Sequence, residues 1–421
     1  MNEFFLHYIW KLQLFTTSDL KTVAGENIVI IQKGEHNTNA GPDFLNARIR
    51  IGDTVWAGNV EIHIRSSDWN IHHHQHDRVY DTVILHVVYE HDDMNSELPT
   101  LVLKNIIPPD IFKQYNLMMQ TGSWIPCEKN IHTVPEIVVK NQLSRILAER
   151  FAEKALKYEQ RLLLNKNDWE ETTYQLLARS FGTNVNADPF EHLAQSLPFH
   201  IIRRHLNKPE QVEAMLFGQA GFLQGSFREM YPHQLQSEYQ YLQKKYSFEP
   251  IRKLEWKFLR LRPANFPTIR LSQFANFIAT HDKLFHEIIS LKSYEQLQSY
   301  FQTTASPYWR EHYSFKKASA VKEPALGKDT LDLILINTVS PLIYLYGQKT
   351  GSQQYIAQAV DLLEHIPPEK NAVMAKWDSL QIKPTSAAES QSLLYLKKEY
   401  CVKKRCLDCG IGNAVLQNKK N

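Results

Sequence analysis

The chain has 421 residues, 22% charged and 43% hydrophobic, with 19 Pro and 15 Gly. That composition excludes a disordered, collagenous or disulfide-stapled chain and leaves room for two or three domains at about 150 residues each. The net charge of +3 hides an asymmetry: residues 1–133 carry 10 Lys and Arg against 16 Asp and Glu, with 10 of the 18 His, so the remainder is basic. An acidic, His-rich third fits metal chemistry, and a basic remainder fits a polyanion-binding surface.

Glu3–Leu14 has apolar residues at helical spacing (Phe4, Phe5, Tyr8, Ile9, Leu12) and reads as an amphipathic helix. Strand-like segments follow at Asn27–Gln32, Phe44–Ile51, Val55–Ile64, Thr82–Tyr89 and Thr100–Leu103, rich in Val, Ile and aromatics and parted by Gly, Asn and Asp. The near-continuous apolar run Val83–Tyr89 is expected of a central strand buried on both faces. Between Ile64 and Thr82 lies a polar, His-rich stretch in which Asp68–Trp69 should cap and staple a short segment. From Val134 onward the pattern turns helical: Ile137–Leu164, Trp169–Phe181, a helix opened by Pro209, Tyr239–Tyr246, Ser272–Thr280, Asp282–Leu291, Leu331–Tyr346 and Gln353–Ile366. The division expected is an α/β domain over 1–133, a helical domain over 134–399 and a Cys-rich basic tail over 400–421. Leu331–Tyr346 is interrupted by Asp332, Asn337 and Pro341, so no membrane span is expected. Four Cys and a start without a basic leader point to a reducing, cytoplasmic setting.

The chemistry concentrates in Gly34–Asp81. Residues two apart on a strand share a face, so Glu61 and His63 line one cavity. Asp43 and Glu61 offer carboxylate oxygens to Mg or Mn, and His63 can orient or deprotonate a water for phosphoryl transfer. Register decides whether Asp43 joins them. A two-residue turn at Gly52–Asp53 pairs Ile51 with Thr54 and sets Asp43 opposite Ile62, and the site fails. A three-residue loop pairs Ile51 with Val55 and sets Asp43 opposite His63, diagonal to Glu61. A one-residue bulge near Gly58 has the same effect. The site therefore requires the longer loop or the bulge. His72, His74 and His86 lie near Glu61 in sequence and suit a transition metal such as Zn or Mn.

Gly41-Pro42-Asp43 on one strand and Glu61-Ile62-His63 on the next resemble the PD-(D/E)xK nuclease signature, with His63 where that superfamily usually has Lys. The resemblance implies a restriction-endonuclease-like mixed sheet, a metal-dependent phosphodiesterase acting on nucleic acid, and an added acid from a preceding helix, for which Glu3 is the nearest match and Glu35 a weaker one. GPDFLNARIRIG, GNVEIHIRSSDW, VILHVVYEHD, WIPCE, RPANFPTIR and YCVKKRCLDCGIG are together similar to a bacterial family that is a domain of unknown function.

Cys401-x4-Cys406-x2-Cys409 supplies three thiolates, and Cys127 is the only other cysteine. A four-thiolate site would clamp the tail to the N-terminal domain around Zn or an iron–sulfur cluster, as some nucleases of the resembled superfamily do. The segment Arg252–Arg270 is basic and aromatic, and Arg260, Arg262 and Arg270 are the nucleic-acid contacts it offers. Three other readings stand beside the nuclease: a His-metal hydrolase of another substrate, a nuclease-fold protein that binds nucleic acid or scaffolds without cleaving, and a coincidental likeness in which the N-terminal third is a β-sandwich. Oligomeric state is open on sequence grounds.

Overall fold

A computed structural model describes residues 1–93, 98–251, 256–315, 317–319 and 325–417. Within it, Arg252 and Lys253 of the basic segment lie outside the described residues. The chain divides into two compact units, 1–142 with 396–421, and 143–395.

The first unit is built on a mixed, curled sheet. Its elements are helix α1 (Glu3–Leu12) and strands β1 (Ile28–Gln32), β2 (Glu35–His36), β3 (Phe44–Ile51), β4 (Thr54–Arg65), β5 (Val83–Glu90) and β6 (Thr100–Val102). The strand order is β1-β3-β4-β5-β6, with β2 pairing to β3. β1, β3 and β4 are antiparallel, whereas β4, β5 and β6 are parallel. β5 is an inner strand, flanked by β4 and β6, as its near-continuous apolar run leads one to expect, and Val83, Leu85, Val87 and Val88 are buried. Helix α1 packs on β4 and buries Phe5, Leu6, Tyr8, Ile9 and Trp10. Asn2 caps it by accepting from Phe5 N at 2.9 Å. Trp10 Nε1 donates to Lys33 O at 3.0 Å, and Phe5 stacks on Tyr115 of helix α3 (Pro109–Gln120) with centroids 4.6 Å apart. Helix α2 (Asp68–Ile71) lies between β4 and β5.

The β3–β4 hairpin closes with the two-residue turn, Ile51 opposite Thr54. A bulge then shifts the ladder: Ala47 pairs with Gly58, but Phe44 pairs with Val60. The extra residue lies on β3, where Asn46 has φ 59° and its N–H donates to Asn59 Oδ1 at 3.1 Å. One step beyond the Phe44–Val60 pair, Asp43 meets Glu61. The expected bulge near Gly58 is therefore present, but on the facing strand, and Asp43 sits opposite Glu61 rather than His63.

The second unit is helical. The long helix α4 (Glu136–Leu164) runs into it and is followed by α5 (Trp169–Phe181), α6 (Thr183–Ser196), α7 (Phe199–Ile202), α8 (Pro209–Gln219), α9 (Met230–Tyr246), α10 (Pro267–Ala279), α11 (Leu284–Ser290) and α12 (Tyr294–Tyr300). A short hairpin (His312–Ser314 with Lys317–Ala318) precedes α13 (Lys328–Ile334), α14 (Ser340–Thr350), α15 (Gln353–His365), α16 (Ala372–Ser379) and α17 (Ala387–Tyr395). The core is aromatic, with Tyr174 stacked on Phe199 and Phe274, and Phe217 on Trp309. Lys328–Thr350 forms a 23-residue helical stretch long and apolar enough, by length and composition, to cross a membrane, and 67% of its apolar window is buried within the protein. Between α13 and α14 the stretch makes a π-helical turn at Leu335–Val339, just before Pro341. Proline has no N–H to offer the carbonyl four residues earlier, so Asn337 O is released from the helical ladder.

Gly58 stands where the bulge and β5 crowd together: an added Cβ would meet Ile84 Cγ2 at 2.4 Å and Thr82 O at 2.5 Å. Gly58→Ala should therefore lower the unfolding free energy by about 1–3 kcal/mol. Asn46→Gly, which keeps the positive φ open, should change it by only a few tenths, on the order of 0.5 kcal/mol. Urea unfolding of the two variants beside wild type measures both.

Candidate metal centre

Parallel strands need a crossover connection, so the chain after β4 must return across the sheet before entering β5. That return is the His-rich segment. Glu61 on β4 pairs with His86 on β5, and His63 pairs with Val88. Glu61, His63 and His86 thus share one face, and the crossover carries His72 and His74 over them.

The resulting cluster is close. His63 Nδ1 lies 2.9 Å from His86 Nε2, and His63 Nε2 lies 3.2 Å from His72 Nδ1. Glu61 Oε1 is 3.6 Å from His63 Nε2 and 3.4 Å from His74 Nε2. One ligand atom from each of His63, His72 and His74 falls within 4.8 Å of the others. Asp43 closes the other side: its N–H donates to Glu61 Oε2 at 3.1 Å, its Oδ2 accepts from Ile62 N at 3.0 Å, and His7 Nε2 lies 3.1 Å from that oxygen. Trp69 meets His74 in a T-shaped contact, and Tyr80 stacks on His74 with centroids 3.8 Å apart.

Two junctions hold the crossover in place. Ser66 Oγ donates to Asp92 Oδ1 and accepts from the N–H groups of Asp92 and Asp93, tying the end of β4 to the end of β5. Asp68 Oδ2 accepts from Arg65 N at 2.9 Å, so its carboxylate braces the strand end instead of capping the helix that follows.

Burial governs the electrostatics. Glu61 is 5% exposed, and burial, then the Asp43 carboxylate, push its carboxyl up to about 8. Burial, then His86, His74 and His72, push the His63 imidazole down to about 2. His86 is pushed down to about 4 by burial and then by His74. The His74 imidazole is also lowered, by burial and then by His72. Burial raises the Glu3 carboxyl, with His7, His72 and Asp43 also acting on it, and Glu3 stands one helical turn before His7, whose Nε2 reaches Asp43. The bare site thus favours a protonated acid among neutral imidazoles. A cation in place of that proton suits the same donors: imidazole lone pairs and a carboxylate. His63 Nε2 can ligate only if Nδ1 carries the proton and donates to His86 Nε2, so His86 fixes the tautomer.

The structure thus brings Asp43, Glu61, His63, His72 and His74 together, with His86 behind His63 and not in the inner group. Sequence reasoning missed His7, although its i+4 spacing from Glu3 on one helix face was a readable signal, and missed Tyr80, whose position depends on the crossover's path.

The cysteines come from both ends of the first unit. Cys401 ends a π-helical turn (Leu396–Cys401), Cys406 opens a short 3₁₀ turn, and Cys409 precedes helix α18 (Gly410–Gln417). Gly410 N donates to Gln142 Oε1 at 2.8 Å, Lys404 Nζ donates to Met119 O, and Lys397 Nζ sits 4.9 Å above the Trp124 ring. Burial raises the Cys127 thiol, followed by Cys409 and Cys406; Cys401 is raised by burial and then by Cys127. Burial, then Cys409, push Cys406 up to about 12. The four thiols are electrostatic neighbours, yet among the described residues the ligand group within 4.8 Å is the histidine one.

Of the basic residues, Arg260 and Arg262 are exposed. Arg270 is not available to a partner. It is 4% exposed, and its guanidinium donates to Asn265 Oδ1 at 2.7 Å, Thr330 Oγ1 at 2.8 Å and Gln273 Oε1 at 3.1 Å. Helix α10 is buried around nearly its whole circumference, which turns Arg270 inward.

Ser66→Ala should leave the Asp92 and Asp93 N–H groups without their acceptor and cost about 1–3 kcal/mol of stability, measured by denaturant unfolding.

A family described as "Protein of unknown function (DUF2851)" matches residues 3–372, and the chain belongs to that family. No curated protein and no solved structure matches it.

Proposed function

We propose that this member of the unknown-function family is a metal-dependent hydrolase of phosphodiester bonds in nucleic acid, with a restriction-endonuclease-like first unit. The observation that carries the reading is the trio His63, His72 and His74, with ligand atoms within 4.8 Å of one another and Glu61 Oε1 beside two of them. The order of elements supports it: an acid at the start of one hairpin strand, Glu-x-His on the next, and a helix bringing a further acid, Glu3, to the same place.

The donor set ranks the metals. Imidazole nitrogens suit Mn and Zn better than Mg, which prefers oxygen ligands and retains its waters. A divalent cation here would supply charge for phosphoryl oxygens and lower the pKa of a water from 15.7 toward about 7. The protein does the rest. His86 holds the His63 proton on Nδ1. Asp43, anchored by Ile62 N–H and facing His7, can orient a water or accept its proton. A cavity of about 490 Å³ lined by Trp69, His74, Tyr80 and Asp81 adjoins the cluster, and its aromatic walls suit a base or sugar. With His63 buried among three other imidazoles, the usual Lys role in donating to phosphate falls to another group, and His63 takes the role of ligand.

Purified protein should contain about one Mn or Zn per chain at this site and should cleave DNA or RNA. Glu61→Gln and His72→Ala should each lower cleavage by about 100-fold or more, with His86→Ala weakening metal affinity about 10–100-fold. Equal cleavage by wild type and Glu61→Gln would end the proposal. Metal without cleavage of nucleic acid, but with hydrolysis of other esters or amides, would select the His-metal hydrolase of another substrate. Salt-dependent binding without turnover would select the inactive binding protein.

For the cysteines we propose a separate structural centre, Zn or an iron–sulfur cluster held by Cys127, Cys401, Cys406 and Cys409, that fastens the tail. Elemental analysis and the visible spectrum of Cys406→Ser should show this metal lost while the metal of the histidine centre stays. Glu61→Gln should show the reverse.

A further inference from the structure

The second unit contains a cavity of about 710 Å³ lined by residues of its own helices, among them Lys154, Lys157 and Arg161 of α4 and Arg179 of α5. That volume is in the range of small-molecule sites. Asn337 O, released from the helical ladder, accepts from Lys154 Nζ at 3.2 Å and from Tyr158 Oη. Asn337 Oδ1 accepts from Lys154 Nζ at 3.1 Å and from Arg150 Nη2 at 3.3 Å. Two cations are thus held by uncharged oxygens. Arg150 is 4% exposed and its Nη1 has no partner.

The acids nearby are Glu191, shared between Arg161 and Arg179; Asp188, which also pairs with Arg179; Glu153, paired with Lys157; and Glu369, which accepts from Gln391 and keeps its negative charge on the wall. Against these four carboxylates stand Arg150, Lys154, Lys157, Arg161 and Arg179, so one positive charge is left over, and burying it without a counter-ion is costly. Burial, then Arg150 and Lys157, push the Lys154 ammonium down to about 7. Ser180 and Thr338, whose hydroxyls bond each other, add neutral donors on the same wall.

We propose that this cavity binds a phosphorylated small molecule, its phosphate taken by Lys154, Lys157 and Arg179. Phosphate is favoured over carboxylate because the cations come as point-charge lysines with an arginine fork, a combination that matches a tetrahedral, multiply charged oxyanion. The inference is independent of the histidine centre, which lies in the other unit.

The test is calorimetric titration of the full-length protein with inorganic pyrophosphate and with ADP, citrate serving as the carboxylate comparison. Saturable binding of pyrophosphate or ADP is expected, with citrate at least tenfold weaker. Lys154→Met and Arg179→Gln should each weaken it at least tenfold. Lys157 is exposed, so Lys157→Glu should fold like wild type by thermal unfolding and still weaken binding at least tenfold. That variant keeps the test decisive if Lys154→Met is unstable. No binding of either phosphate probe, equal affinity in Lys157→Glu, or citrate binding more tightly than pyrophosphate would each overturn the proposal.

Discussion

The parallel pairing of β4 with β5 is the constraint on which the first unit's site depends. An antiparallel continuation would have needed only a tight turn, and the stretch from 66 to 82 would have had no reason to recross the sheet. Because the pairing is parallel, that stretch must travel back, and its histidines pass over the face that carries Glu61, His63 and His86. The Ser66–Asp92 and Asp68–Arg65 contacts then set where along its path each imidazole stops.

Burial gives this geometry its chemical direction. A carboxyl raised to about 8 beside imidazoles lowered to about 2 and about 4 is a set of donors kept free of charge by low polarity. The same low polarity strengthens attraction for a cation once one enters. In the second unit the balance is reversed, since Arg150 and Lys154 are cations resting on neutral oxygens. The two units therefore present opposite electrostatic demands.

Much of this was legible in the residues. Apolar runs and turn residues located β1, β3, β4, β5 and β6 within about two residues, and Trp169–Phe181 ends where the stripe and Gly182 end it. Period-two reasoning put Glu61 and His63 on one face. It also showed that the two-residue turn alone would fail, and so required an irregularity. Which strand held it was not legible, because Asn46 entering the left-handed region depends on Asn59 across the ladder. The two-residue strand β2 is too short to leave a pattern. Arg270 looked like a surface cation, but α10 is enclosed on nearly all sides, and local sequence carries no record of how many neighbours a helix has. Pro341 was read as an interruption, when it opens a π-turn inside a continuous helical stretch.

The first unit is discontinuous: residues 396–421 pack with residues 1–142, and Gln142, Trp124 and Met119 all hold the tail. During synthesis residues 1–142 therefore leave the ribosome first, then the whole helical unit, before the segment from 396 onward emerges. The unit begun before the helical one is completed after it, and until then the helical unit can mature while its predecessor waits with the docking surface for α18 uncovered.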